Sequence, residues 1–284
     1  MGIRINVKTW EQLGDSVCLT GAVRNVAAAH PEFEFEYTRF HQYEQVFWNN
    51  PDFLRPEPGA VQVGWIGYGD ISAERTVSRG NHVQAMTLTL CERLGIPPVP
   101  CVTGAPVICL TGEEIEWGRQ FDGKWIINTN CQRHTISKFY PHWQAVVDGM
   151  RGMGIEVVQI GGAEHRDVTT ELSGVEDWRG RTDIRHLFAM AHGCAGIVSP
   201  PSGIVHIGAA WGRPTVSVVG ARENPGLTGL YPRCTALSSD CPRRLCYASV
   251  AADCPRFSGG SCACMAEIDP ELVLKAVRES AGDA

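Results

Sequence analysis

Apolar and polar positions along this chain switch repeatedly between the twofold alternation of strands and the wider spacing of helices. Ile3–Val7 reads as a short strand, then come a loop holding Leu13-Gly14-Asp15 and a helix from about Val17 to Ala29, stopped by His30-Pro31. Phe33–Tyr37 alternates as a second strand, Val46–Leu54 is a turn region with N-N-P-D punctuation, and Val61–Gly67 is strand-like. Asn81–Leu94 predicts a helix closed by Gly95 and Pro97-Pro98. Four prolines between Pro97 and Gly112 mark the end of a first half, which puts the domains at 1–112 and 113–284.

The second half repeats the alternation. Trp125–Asn128, Glu156–Ile160, Gly196–Val198 and Thr215–Val219 read as buried strands, and Tyr140–Met153 and Asp183–Ala191 read as helices. Asp269 and Pro270 supply the cap and first position of a last helix. Strands alternating with helices predict α/β architecture with parallel sheets and a ligand cleft beyond the carboxyl ends of the strands. One stretch stands out. Ser199 to His206 is a small-residue loop opening a helix whose apolar face is Ile204, Ile207, Gly208 and Trp211. A Ser202-Gly203 helix start presents backbone N–H groups beside the positive end of the helix dipole, a seat for phosphate.

Composition narrows the class. With 44% hydrophobic and 20% charged residues the chain is globular, and its net charge of −6 disfavours nucleic acid as a partner. No apolar run approaches the ~18–20 residues of a membrane-spanning helix. The opening M-G-I-R-I-N-V is strand-like rather than a secretory leader, which predicts a cytoplasmic setting. Twelve cysteines are many for a reducing compartment, where stable disulfides are rare, so a cysteine cluster there points to metal.

The candidate chemistry follows from these placements. Asp15 between a strand and a helix suits either a general base or a helix N-cap. Thr135, Ser137 and Lys138 offer hydroxyls and a point charge to a diphosphate, or form an ordinary polar loop. Gly161-Gly162 after a strand allows backbone to approach a ligand or makes a tight turn. His206 faces either ligand or core, while His165, His186 and His192 have no metal spacing. Cys241, Cys246, Cys254, Cys262 and Cys264 crowd a loop of about 234–265 that lacks hydrophobic periodicity, and a tetrahedral thiolate site holding zinc or iron would staple it. Cys18, Cys91, Cys101, Cys109, Cys131 and Cys194 read as small core residues.

Taken in order, these pieces resemble the heptosyltransferase-like glycosyltransferases of family nine, over Leu13 to about Val277. Gly14-Asp15 matches the family's Gly-Asp loop, and Thr135, Ser137 and Lys138 before Tyr140-Pro141-His142-Trp143 match its Thr/Ser–Lys loop. Val157–Glu164 matches a strand ending in Gly-Gly and a glutamate. Pro201-Ser202-Gly203-Ile204-Val205-His206 through Gly212-Arg213-Pro214 matches the D-[ST]-G-x-x-H-x-A-A-A-x-G-x-P signature, with Pro201 where the family has the donor-contacting aspartate of the ADP-heptose enzymes. The cysteine-rich tail is similar to a divergent branch with a cysteine finger, and the autotransporter-modifying heptosyltransferases also bind a metal through cysteines.

The resemblance implies a GT-B fold, two facing Rossmann-like domains with a central cleft: an acceptor-side domain at 1–112 and a nucleotide-sugar domain at 113–284. It implies an inverting transfer of heptose or a related sugar from a nucleotide diphosphate sugar to a hydroxyl of a glycan, lipopolysaccharide or protein, without a catalytic divalent metal. Asp15 would be the base. Donor contacts would come from Gly14, Thr135, Ser137, Lys138, Gly161, Gly162, Ser202, Gly203, Ile204, His206 and Glu223, with Glu223 or Glu164 on the ribose. Cys241, Cys246, Cys254 and Cys264 would hold a structural zinc or iron and leave Cys262 spare. The proline at 201 and the short first half keep two other readings open, a non-catalytic nucleotide-sugar-binding scaffold and a GT-B nucleotide-sugar epimerase. Oligomeric state stays open.

Overall fold

The computed structural model describes residues 2–9, 12–37, 43–63, 66, 80–130, 137–162, 170–243, 246 and 254–282. The chain divides into two compact units, Met1–Gly112 and Glu113–Ala284.

The first unit contains β1 (Ile3–Val7), α1 (Leu13–Ala29), β2 (Phe33–Tyr37), β3 (Phe53–Leu54), β4 (Val61–Gln62) and α2 (His82–Leu94). Its strands pair in parallel in the order β3-β2-β1-β4. The Leu13-Gly14-Asp15 stretch, expected as a loop, is instead the first turn of α1. The first N–H groups of a helix have no intrahelical partner in any case, so glycine costs little there and a carboxylate is favoured by the dipole. Ser16 helps to close that turn by donating to the Gln12 carbonyl at 3.0 Å. The turn region holds a 3-10 segment at Glu44–Phe47 and then β3, and of the strand expected at Val61–Gly67 only Val61–Gln62 pairs as a named strand, with a bridge at Ile66, while Gly67 lies outside the described residues.

Helices α1 and α2 pack closely because Gly21 has no side chain: a Cβ there would sit 2.6 Å from the Ala105 carbonyl and 2.7 Å from Val83. Helix α2 starts in a reciprocal capping box between Asn81 and Gln84 and ends at Gly95 with φ 68°. Prolines deprive the 97–111 segment of donors, and buried polar side chains of α1 secure it instead. Asn25 accepts from the Thr103 N–H at 2.8 Å, and Thr20 accepts from the Val107 N–H at 2.8 Å.

The second unit runs α3 (Gly112–Gly118), β5 (Trp125–Asn128), α4 (Trp143–Gly152), β6 (Val157–Ile160), β7 (Glu176–Asp177), α5 (Ile184–Gly193), β8 (Gly196–Ser199) and α6 (Gly203–Ala209). It continues with β9 (Thr215–Val219), α7 (Gly226–Gly229), β10 (Cys234–Ser238), the hairpin β11 (Phe257–Ser258) and β12 (Ser261–Cys262), α8 (Ala263–Ala266) and α9 (Pro270–Gly282). Six parallel strands are ordered β10-β9-β8-β5-β6-β7. Read from β7, with β5 as first strand, this is the 3-2-1-4-5-6 order of doubly wound sheets. Both flanks cover the central strands, so β5, β6, β8 and β9 are buried throughout, as their unbroken apolar runs require.

Two helix bounds differ from the pattern reading. Helix α4 begins at Trp143 rather than Tyr140, because Tyr140 is drawn into the core and donates from its hydroxyl to the Ile268 carbonyl at 2.9 Å. Helix α6 ends at Ala209 rather than reaching Trp211: Gly212 turns left-handed at φ 59°, and the Arg213 N–H closes onto the Gly208 carbonyl at 3.0 Å. Asp269 does cap α9, accepting from the Glu271 N–H at 2.9 Å. Among the described residues no helix is long and apolar enough to cross a membrane.

Candidate functional site

In a doubly wound sheet the connections leave in opposite directions at one place, and a crevice opens beyond the strand ends there. In the second unit that place lies between β5 and β8, whose last residues are Asn128 and Ser199. Each ends an apolar run on a polar side chain, and the two meet. Asn128 donates from Nδ2 to the hydroxyls of Ser199 and Ser202, both at 3.1 Å, and those hydroxyls lie 2.9 Å apart. The Asn128 carbonyl oxygen accepts from the Asn130 N–H at 3.2 Å, so the amide is held from both ends. Ser202 occupies the N-cap position of α6 in extended conformation without capping its own helix, because its hydroxyl is committed to this network.

Lys138 reaches the same loop. Its ammonium donates to the Pro201 carbonyl at 3.0 Å and lies 2.6 Å from the Glu223 carboxylate. Arg222 Nε stands 3.8 Å from that carboxylate, so two cations approach one anion. The side chains of Lys138 and Glu223 are 19% and 10% exposed, which shields the pair from solvent screening more than a surface bridge.

The other expected donor residues divide. At Gly161, which follows β6, a Cβ would fall 2.5 Å from the Asn130 side-chain amide and displace it; its carbonyl accepts from the Gly180 N–H at 2.8 Å, and Gly162 follows it. Ser137 is buried beside Lys138, and Gly203 begins α6. Ile204 and His206 turn into the core, where His206 Nδ1 lies 2.9 Å from the Tyr231 hydroxyl. Thr135, Glu164, His165 and Cys131 lie outside the described residues. Asn128 and Ser199 escaped the sequence reading, although a polar residue ending a buried strand is the signal that marks them.

In the first unit, Asp15 is buried with Gly14 half-buried beside it, and its Oδ1 lies 3.2 Å from Nε2 of His82, the first residue of α2. The thiol of Cys18, one turn further along α1, is within 4.8 Å of a ring nitrogen of His82. Sequence reasoning gave His82 no role.

The cysteine segment forms the third cluster. Cys241, Cys246, Cys254, Cys262 and Cys264 line one cavity of about 20 Å³, together with Ser137, Ala221 and three arginines. The β11–β12 hairpin turns at Gly259 and Gly260, with φ 60° and 85°, and delivers Cys262, while α8 delivers Cys264. The Cys262 thiol is pushed up to about 12 by burial and then by the Cys254, Cys264 and Cys246 thiols around it. Burial raises Cys264 as well, partly offset by the Ala221 N–H. Thiols so placed resist ionising one by one, and a divalent ion that binds the thiolates directly removes that penalty. Sulfur donors with no carboxylate among them have the chemistry that zinc or iron prefers, but among the described residues no three of these thiols lie within 4.8 Å of one another. All five cysteines line the cavity, Cys262 included.

Residues 117–252 match the model of glycosyltransferase family 9 (heptosyltransferase). Over its whole length the chain is similar in fold to a family 9 glycosyltransferase from Veillonella parvula, at 18% identity, with 99% of that chain covered and a TM-score of 0.70. It is similar also to Escherichia coli ADP-heptose lps heptosyltransferase II, at 14% identity over 100% of this chain and 99% of that one, TM-score 0.68. A third is TibC, an iron-containing dodecameric glycosyltransferase from enterotoxigenic E. coli, at 15% identity over 100% of this chain and 78% of that one, TM-score 0.67. TibC is also known in complex with ADP-D-beta-D-heptose. No curated protein sequence matches this chain.

Proposed function

We propose that this chain, whose residues 117–252 match the model of glycosyltransferase family 9 (heptosyltransferase), is a glycosyltransferase of that family and transfers heptose or a related sugar from a nucleoside diphosphate sugar to an acceptor hydroxyl with inversion. The observation that carries this reading is the polar network at the strand switch, Asn128, Ser199 and Ser202, with Lys138 beside it. A diphosphate placed there meets hydroxyl donors and an ammonium, groups that stabilise a departing phosphate. Gly161 and Gly162 keep the end of β6 free of side chains, and Gly203 starts α6 beside the network.

The chemistry balances simply. The Asp15 carboxylate takes the proton of the acceptor hydroxyl, whose oxygen forms a bond to the anomeric carbon. The bond from that carbon to the diphosphate breaks, and the nucleoside diphosphate leaves with the electron pair. Lys138 then serves the leaving group in place of Glu223, freeing that carboxylate to meet ribose hydroxyls. Zinc or iron in the cysteine cavity plays a structural part, a reading that the iron in TibC supports. ADP-heptose is the first donor to test, since TibC binds it. The acceptor is a glycan, lipid-linked glycan or protein, and the setting is cytoplasmic.

Titration calorimetry with ADP and with ADP-heptose tests the proposal. Both should bind, and Lys138→Ala should weaken each by about 10–100-fold, the worth of one charge-assisted hydrogen bond. If neither binds, or if Lys138→Ala binds them as tightly as the wild type, the donor site lies elsewhere.

A further inference from the structure

The polar network at the strand switch also fixes which way its protons point. Strands β5 and β8 run in register, with Ile127 beside Val198, so Asn128 and Ser199 come out side by side at the strand ends. Asn128 is 7% exposed and Ser199 is fully buried. The Asn128 amide has an accepting and a donating end, and the Asn130 N–H, donating to Oδ1 at 3.2 Å, sets its orientation. Nδ2 therefore faces the serines, with one proton for the Ser199 hydroxyl and one for the Ser202 hydroxyl, each at 3.1 Å.

Counting protons assigns the remaining bonds. A serine hydroxyl has one proton to give. That of Ser199 goes to the Pro200 carbonyl at 2.7 Å, so the 2.9 Å contact between the two hydroxyls takes its proton from Ser202. Ser202 makes no side-chain bond to its own helix. Its proton can therefore turn to a ligand while its oxygen goes on accepting from Asn128, and a hydroxyl that accepts one hydrogen bond donates a stronger one. Pro200 and Pro201 have no N–H, so the loop lacks backbone donors at those two positions, and Lys138 holds the Pro201 carbonyl at 3.0 Å. We propose that Asn128 is a positioning residue for the donor diphosphate, holding the Ser202 oxygen as an acceptor so that the Ser202 proton is given to a phosphate oxygen. The proposal rests on the reading of this network as the donor site.

Calorimetry with ADP on the full chain tests this through a double-mutant cycle. Ser202→Ala should weaken ADP binding by about 10-fold and Asn128→Ala by about 3–10-fold, the worth of a charge-assisted and of a neutral hydrogen bond. In the Ser202→Ala background Asn128→Ala should cost less than about 2-fold, because its effect passes through the hydroxyl. Asn128→Asp is the sharper variant. Its carboxylate keeps the shape and accepts from the Asn130 N–H and from both hydroxyls, so a merely structural role makes it milder than Asn128→Ala. By drawing the Ser202 proton inward it should instead weaken ADP by about 100-fold, and by a smaller factor in the Ser202→Ala background, where only charge repulsion is left. In ¹H–¹⁵N spectra of the wild type, the side-chain amide pair absent from Asn128→Ala should move when ADP is added. Independent losses from Asn128→Ala and Ser202→Ala, an Asn128→Asp milder than Asn128→Ala or equally costly in both backgrounds, or an amide pair unmoved by bound ADP overturns the proposal while the donor site stands. ADP binding indifferent to Ser202→Ala removes this network from the donor site, and the role of Asn128 falls with it.

Discussion

The two polar clusters are built in opposite ways. Asp15 and His82 in the first unit are both buried at the starts of two packed helices, with Nε2 of the imidazole 3.2 Å from Oδ1 of the carboxylate. Lys138 and Glu223 in the second unit sit at the mouth of a network, and Lys138 divides its donors between a carboxylate and the Pro201 carbonyl. A proton acceptor needs fixed aim and few competitors. A binder of diphosphate needs a charge whose partner can be exchanged for the ligand. The first cluster therefore suits proton removal and the second suits charge neutralisation, and each can be broken separately.

The largest effect belongs to the first cluster. Asp15→Asn should cut sugar transfer by about 10²–10⁴-fold, the usual worth of a general base, with ADP affinity measured by calorimetry unchanged. Loss of ADP binding in that variant would erase the division of labour between the clusters. Next comes the second cluster. Glu223→Gln leaves Lys138 without its anion but keeps a hydrogen-bonding group, so affinity for inorganic pyrophosphate should rise by a few-fold while affinity for ADP falls, if the freed carboxylate holds the ribose. The same direction of change for both ligands would show that Glu223 does not exchange partners.

The architecture behind this comparison was largely visible beforehand, because buried parallel strands are short apolar runs bounded by turn residues. Trp125–Asn128 and Thr215–Val219 stand in the chain as strands with the bounds the pattern implies. Two-residue strands such as Glu176–Asp177 carry no period, and their pairing comes from the sheet beside them. The start of α1 was hidden because Gly14 and Asp15 are turn residues in most contexts, while a first helical turn tolerates both. At the site, Lys138 and Ser202 could be read from local residue type. Asn128 joins Ser199 across 71 positions and Asp15 joins His82 across 67, a separation no local pattern reports.

The cysteine cavity offers an effect of middle size. It touches Ser137, next to Lys138, and Arg222, next to Glu223, so emptying it should loosen the second cluster and leave the first alone. Stripping metal with a strong chelator should lower the melting temperature by roughly 5 °C or more, since binding energy at such sites is folding energy. ADP affinity should fall with it, and the imidazole spectrum of His82 should not change. An unmoved melting temperature together with no bound zinc or iron by elemental analysis would remove the metal.

The smallest effect is a control on charge pairs as such. Asp177 meets Arg179 through two bonds at 2.9 Å, a better geometry than Lys138 has with Glu223, yet its side chain is 40% exposed and the partners are neighbours on one turn. The Arg179 side chain lowers the Asp177 carboxyl to about 2 from an ordinary 3.8, which makes the ionised form a source of stability above the unfolded value. That contribution is present at neutral pH and fades as pH falls from 3.8 through about 2. Solvent screening limits it to less than about 1 kcal/mol. Asp177→Asn should therefore shift the urea midpoint slightly at pH 7, and the difference from wild type should shrink at pH 3, with ADP affinity untouched throughout. If this exposed local pair altered ADP affinity as strongly as Lys138→Ala, well-formed ion pairs in general, and not the exchangeable one at the strand switch, would govern donor binding.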